Sequence, residues 1–208
     1  LEPREGWMYP SYMNEKCPGL PSSEALIECA QVFAAPETFP KGRLITYPAD
    51  WGTRSKDLVE AAGLPFQPIA GGSEGAMIAE LKAAYAAKEP ALMMFWAPHW
   101  LHAELDMDWV ELPTAHDNCD SEPQHGFDPA KTGDCGFAQA SIGKIVWKGF
   151  EEKWPGALKV IEAMSIDNDT QNVLMLEVDN NKRDLEEVIT EWVNANESTW
   201  QSWVAAAQ

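Results

Sequence analysis

Between residues 22 and 112 helical and strand-like segments alternate, and this alternation narrows the available folds more than any other feature of the chain. Ser22 or Ser23 can cap a short helix through Glu24–Val32. Lys41–Tyr47 reads as a short strand ended by Pro48. Ala49-Asp50-Trp51-Gly52-Thr53 then turns into a helix over Ser55–Ala62, stopped by Gly63. Phe66–Ile69 is a second short strand, and Gly71-Gly72-Ser73 leads into a helix over Gly75–Lys88, with Met77, Ile78, Leu81 and Tyr85 on one face. Ala91–Trp96 is a continuous apolar run closed by Pro98, the pattern of a strand buried on both faces. The expected class is therefore α/β. Outside this region, residues 1–20 read as irregular and 113–138 as a long polar loop. A strand is expected at Ile142–Trp147 and a helix at Phe150–Met164. Two further helices are expected near Asp169–Val178 and Leu185–Ala206.

A chain of 208 residues makes one ordinary domain or two small lobes. Its 15 Lys and Arg against 33 Asp and Glu give a formal charge of −18. That balance opposes binding to a phosphate backbone or an anionic membrane surface, and leaves a cationic ligand or a metal ion open. No apolar run approaches the ~20 residues that span a bilayer, so no direct membrane insertion is expected. No signal-peptide pattern is present, and the opening at Leu1 reads as that of a processed or truncated product.

Four cysteines fall into two local pairs among turn-forming residues, Cys17 with Cys29 and Cys119 with Cys135. Two disulfides in an oxidising compartment suit that spacing, and four buried free thiols are the alternative. The acidic loop around the second pair carries Asp117, Asp120, Glu122, Asp128 and Asp134, oxygen ligands suited to Ca²⁺. Their spacing is not that of an EF-hand, and a solvated acidic loop is the plainer reading. His99 and His102, with loop carboxylates, are the residues a metal-dependent hydrolase would use; no HExxH, GxSxG, P-loop or GxGxxG accompanies them.

Two tryptophans hold matching topological places. Trp51 follows the strand before Pro48, and Trp96 ends the apolar run. Ligands of open α/β sheets bind at the carboxyl ends of strands. An indole face attracts a cation by ~0.5–2 kcal/mol, and aromatic cages hold quaternary ammonium groups. Core packing is the competing fate of each ring. Gly52 allows close approach to the backbone, and the amides after it open a helix, where negative charge is favoured; a simple turn with an ordinary helix start, needing no ligand, is the alternative. A ligand carrying both a cation and a carboxylate would satisfy the rings and the amides together.

These residues resemble a known family. Gly6-Trp7-Met8-Tyr9-Pro10-Ser11-Tyr12 with Pro18-Gly19-Leu20-Pro21-Ser22-Ser23-Glu24-Ala25-Leu26 resembles the segment entering the second lobe of glycine betaine-type substrate-binding proteins of ABC importers. Pro48-Ala49-Asp50-Trp51-Gly52-Thr53 is similar to their ligand loop, and Phe95-Trp96-Ala97-Pro98-His99-Trp100 to their strand end. Thr170-Gln171-Asn172-Val173-Leu174-Met175 and Trp200-Gln201-Ser202-Trp203-Val204 match near the C-terminus. The resemblance implies a type II periplasmic-binding-protein-like fold, two α/β lobes with a ligand cleft between them. The N-terminal part of the first lobe would be absent from this chain. Residues 1–20 would connect the lobes, 21–112 form the second lobe, and 113–208 return to the first.

It further implies a non-enzymatic protein, periplasmic or extracytoplasmic. Its ligand would be a small quaternary or methylated amine (glycine betaine, trimethylamine N-oxide or choline), handed to the membrane permease of an ABC importer. No cofactor is required; apart from the resemblance, whose motifs do not include the 117–135 loop, Asp117, Asp120, Glu122 and Asp134 stay candidates for a structural Ca²⁺ there. Trp51 and Trp96 would wall the aromatic box, with Trp7 a further wall, and the amides of Gly52 and Thr53 would meet the anionic end. Glu5, beside Trp7, is an added candidate: its carboxylate would complement the cation or accept a proton from an N-oxide. A ligand-sensing domain on the same fold is the other reading that this resemblance leaves open.

Overall fold

The structure is a computed structural model and describes residues 1–207. The chain forms two compact units. One comprises Arg4–Trp96 with Leu105–Ala140, the other Leu1–Pro3, Ala97–Glu104 and Ser141–Gln208. This division differs from the expected one: residues 4–20 and 113–140 join the same unit as 21–96, while 97–104 join the helical unit.

The first unit is built on a five-stranded sheet in the order β3-β2-β4-β1-β5. Its strands are β1 (Arg4–Pro10), β2 (Gly42–Thr46), β3 (Phe66–Ala70), β4 (Met93–Ala97) and β5 (Met107–Trp109). β2 pairs in parallel with both β3 and β4, with Ile45 opposite Met93 in the latter, and β5 runs antiparallel to β1. Ser22 caps the helix Ser23–Glu28 by accepting the Ala25 N–H. Ser73 does the same for Glu74–Ala87 through the Ala76 N–H, and Gly63 ends Arg54–Ala62 at φ 68°. These starts and stops lie within a residue or two of the sequence expectation, because each rests on local chemistry.

β1 is a correction to the irregular reading of residues 1–20. Trp7, Met8 and Tyr9 are fully buried there. The strand is short, lies between prolines, and is buried on both faces, so it shows no alternation of apolar and polar residues. Leu44, Ile45, Phe66, Met77, Leu81, Met93 and Phe95 complete the core around the sheet. Both cysteine pairs form disulfides, with Cα–Cα separations of 5.9 Å and 6.1 Å.

The helical unit contains Pro155–Ala163, Asn168–Met175, Leu185–Ala195 and Glu197–Ala205, besides the single turns Leu101–Glu104 and Phe150–Lys153. Asn172 is buried and its Oδ1 accepts the His99 N–H at 2.9 Å. The expected strand at Ile142–Trp147 is not formed: the segment is irregular, and Ile145 is 96% exposed. β-Branched residues alone do not make a strand without a neighbour to pair with. The expected helix over 150–164 is interrupted at Trp154, with Pro155 at the first position of its second half, and 185–206 is interrupted at Asn196. Among the described residues, no helix is long and apolar enough to cross a membrane.

Candidate functional site

The order β3-β2-β4 contains a topological switch. The chain leaves β2 through a helix to β3 on one side, then returns through a second helix to β4 on the other. At such a point the connections diverge, and a crevice opens at the carboxyl ends of the two central strands. Ile45 lies opposite Met93 in the parallel pair, so Tyr47, just past the end of β2, and Trp96, near the end of β4, come to the same carboxyl edge of the sheet.

Tyr47, Trp51 and Trp96 form a closed triangle of rings. Their centroids are 5.7 Å (Tyr47–Trp51), 5.7 Å (Tyr47–Trp96) and 5.8 Å (Trp51–Trp96) apart, with interplanar angles of 61°, 67° and 60°. A cation about 4.5 Å out from the triangle's centre lies within the ~6 Å reach of all three centroids. Exposure is graded: Tyr47 is buried, Trp51 is 48% exposed, and Trp96 falls between them. Phe95 stacks beneath Trp96 at 4.3 Å and is itself buried, which holds that indole in place. A small recess beside the triangle is lined by Thr46, Tyr47, Trp51, Gly52, Arg54, Ser55 and Met94.

Trp51 reaches this position through a tight local path. Ala49–Trp51 is a single 3₁₀ turn, in which the Trp51 N–H donates to the Pro48 carbonyl at 2.9 Å. Gly52 follows at φ 123° and ψ 172°, backbone open essentially only to glycine. A Cβ there would meet nothing within 4 Å, so the glycine answers a demand of the backbone and faces open space. The Gly52 and Thr53 amides precede the helix Arg54–Ala62, outside its hydrogen-bond ladder. The Thr53 hydroxyl donates to Asp57 at 2.8 Å.

Glu5 lies at the edge of the same cluster. Its Oε1 accepts the Tyr47 hydroxyl at 3.2 Å, and its Oε2 pairs with Arg54 Nη2. Burial, and then the negative charge of Glu5, push the Tyr47 phenol far above the ordinary tyrosine range, so Tyr47 stays a neutral donor. Arg54 also sits over the Phe137 ring, 5.8 Å from its centroid.

Trp7 stands elsewhere. It is 0% exposed, with its ring against Phe66 and Phe137 and its Nε1–H donated to Ser55 Oγ at 3.0 Å. That is the packing of a core residue, and it corrects the expectation of a further wall. The carboxylates Asp117, Asp120, Glu122 and Asp134 do not form a metal site either. Among the described residues no three His, Cys, Asp or Glu side chains converge on one point. Glu122 bonds instead to His125 and Asn118, and Asp134 is buried, accepting the Asp128 N–H at 2.7 Å. The hydrolase reading loses its constellation by the same observation. His99 is buried, and its Nδ1 accepts the Leu101 N–H at 3.1 Å.

Two residues of this cluster were not singled out by the sequence. Tyr47 looked like the last residue of a strand, and only the pairing of β2 with β4 brings its ring against Trp96. Arg54 did leave a trace: a cation in the first turn of a helix opposes the helix dipole and calls for another partner, here Glu5.

Residues 1–195 match the family described as the substrate binding domain of ABC-type glycine betaine transport systems (OpuAC). The chain belongs to that family. It is 29% identical to the trimethylamine N-oxide-binding protein of Pelagibacter ubique over 199 residues, covering 92% of this chain and 61% of that protein. It is 26% identical to the glycine betaine-binding periplasmic protein OusX of Dickeya dadantii, covering 66% of this chain and 43% of that one. The chain thus spans about three fifths or less of the length of these curated relatives. Among solved structures, lactococcal OpuAC, in its closed-liganded conformation with glycine betaine, superposes with a TM-score of 0.58 at 18% identity. That match covers 97% of this chain and 67% of OpuAC. An ABC-transporter choline-binding protein in complex with choline gives 0.54 at 16% identity, over 99% of this chain and 68% of its own. The fold is the α/β fold of type II periplasmic binding proteins.

Proposed function

We propose that this OpuAC-family chain binds a small quaternary or methylated amine against Tyr47, Trp51 and Trp96 and delivers it to the permease of an ABC importer. The observation that carries the reading is the convergence of three aromatic rings at the switch point of the sheet, beside a glycine-opened helix start. Ring faces draw in a trimethylammonium group, whose positive charge is spread over methyl groups and is cheaply desolvated. The amides of Gly52 and Thr53 suit the anionic end of the same ligand. No bond is made or broken in this scheme, and the ligand's charge is met by the chain's own groups without a cofactor. The names of its relatives, a trimethylamine N-oxide-binding protein and a periplasmic glycine betaine-binding protein, support both the ligand class and an extracytoplasmic setting.

Titration calorimetry against trimethylamine N-oxide, glycine betaine and choline tests the proposal, with quenching of tryptophan fluorescence as a second signal. We expect at least one of the three to bind, and Trp51→Ala and Trp96→Ala each to weaken it about five- to thirtyfold, as loss of a cation–π wall of ~1–2 kcal/mol implies. Binding that survives both substitutions unchanged would sink the assignment.

A further inference from the structure

We propose, resting on that reading, that the Glu5–Arg54 pair tunes the site to methylated amines without net charge, against those that are cations only, and that Arg54 is the specificity-determining residue. The three rings cannot make this distinction. Their faces attract any trimethylammonium head alike, whether the rest of the molecule is a carboxylate, an N-oxide oxygen or a hydroxyl. Selection must come from groups that meet the other end.

Arg54 is the cation that borders the recess, and Glu5 holds it there. Both oxygens of Glu5 are engaged, one by the Tyr47 hydroxyl and the other by Arg54. The carboxylate is therefore spent on positioning, and its charge is balanced before a ligand arrives. Arg54 keeps capacity in hand. A guanidinium has five N–H donors, its bond to Glu5 uses Nη2, and the side chain is 50% exposed. An oxyanion placed between the free donors of Arg54 and the Gly52 and Thr53 amides would gain charge-assisted hydrogen bonds. A ligand that is only a cation would bring a like charge toward Arg54 and offer no anion in return, which is selection by an unfavourable contact. The remaining charges nearby do not reverse this balance. Asp57 is occupied by the Thr53 hydroxyl, and Asp50 is exposed on the 3₁₀ turn. The chain's overall charge of −18 would favour the cation, so a preference for the net-neutral ligands reports the local pair.

The test is calorimetry of the chain with trimethylamine N-oxide, glycine betaine and choline at about physiological salt, where distant charges are screened. It is run on the unaltered protein, Arg54→Gln, Arg54→Lys and the double variant Glu5→Gln/Arg54→Gln, each checked by thermal melting. The unaltered protein should bind the N-oxide or the betaine more tightly than choline. Arg54→Gln should cost these net-neutral ligands at least about tenfold while choline holds or gains, because Glu5 is then left without its cation. Arg54→Lys should keep the original ranking. The double variant removes both charges, leaves none unpaired, and should narrow the gap between the ligand classes. Choline binding as tightly as the others to the unaltered protein would overturn the inference and leave the proposed function standing. An equal loss for all three ligands in folded Arg54→Gln would overturn it as well. Binding of none of the three would sink the proposed function itself.

Discussion

The tryptophans show how far one residue type can diverge within a single unit. Trp7 and Trp51 are both near motifs of the family, yet Trp7 is sealed in the core, with its indole N–H satisfied by Ser55, and Trp51 stands half open at a strand end. Their substitutions should separate cleanly. Trp7→Ala is expected to cost about 3–5 kcal/mol of unfolding free energy in a urea titration, through the cavity and the unpaired Ser55 hydroxyl. Trp51→Ala should shift the urea midpoint little and act on ligand binding instead. A Trp7→Ala protein as stable as its parent would show that the indole is not packed as described. The sequence placed Trp51 and Trp96 correctly at strand ends, because strands and turns are local. It could not tell Trp7 from them, because burial is a property of the neighbours.

At the scale of elements, segments with local punctuation were legible and segments dependent on a partner were not. Ser22, Ser73 and Gly63 mark helix ends by side-chain or backbone chemistry confined to a few residues. The 142–147 segment has the composition of a strand and stays irregular, while β1 and the three-residue β5 are strands because they pair with each other. The loop around the second disulfide gives a clean test of a competing reading. Its cysteines are 16 residues apart, so the crosslink should be worth about 3 kcal/mol by chain entropy. The Cys119→Ser/Cys135→Ser pair should therefore melt at a lower temperature than the parent protein. Millimolar Ca²⁺ should move neither melting curve, because Asp117, Asp120, Glu122 and Asp134 do not converge. A rise in melting temperature with Ca²⁺ would contradict that geometry.

The whole molecule carries a distinct alkaline signature. Burial, and then nearby acidic groups or a neighbouring phenol, raise Tyr9, Tyr12 and Tyr47, Tyr12 up to about 12. In the unfolded chain each phenol ionises near 10. Above that pH the unfolded chain binds fewer protons than the folded one, so unfolding becomes more favourable. The stabilisation is complete below about pH 10 and is lost as the pH rises through the folded values. Urea midpoints measured between about pH 8 and 11.5 should fall steeply only at the upper end. A flat profile there would mean that these phenols are as free to ionise as in water.

The sequence by itself determined the α/β class, the helix boundaries marked by Ser22, Gly63 and Ser73, the cysteine pairs as disulfide candidates, and the placing of Trp51 and Trp96 near the ends of strands. These follow from periodicity, turn chemistry and local spacing, which act over a few residues. Only the tertiary structure decided that Tyr47 joins the rings, that Trp7 does not, that the loop carboxylates stay apart, and that Glu5 is taken up by Tyr47 and Arg54. The reason lies in the sheet. Pairing β2 with β4 in one register brings residues almost fifty positions apart into contact, and β1 sets Glu5 beside both Tyr47 and Arg54.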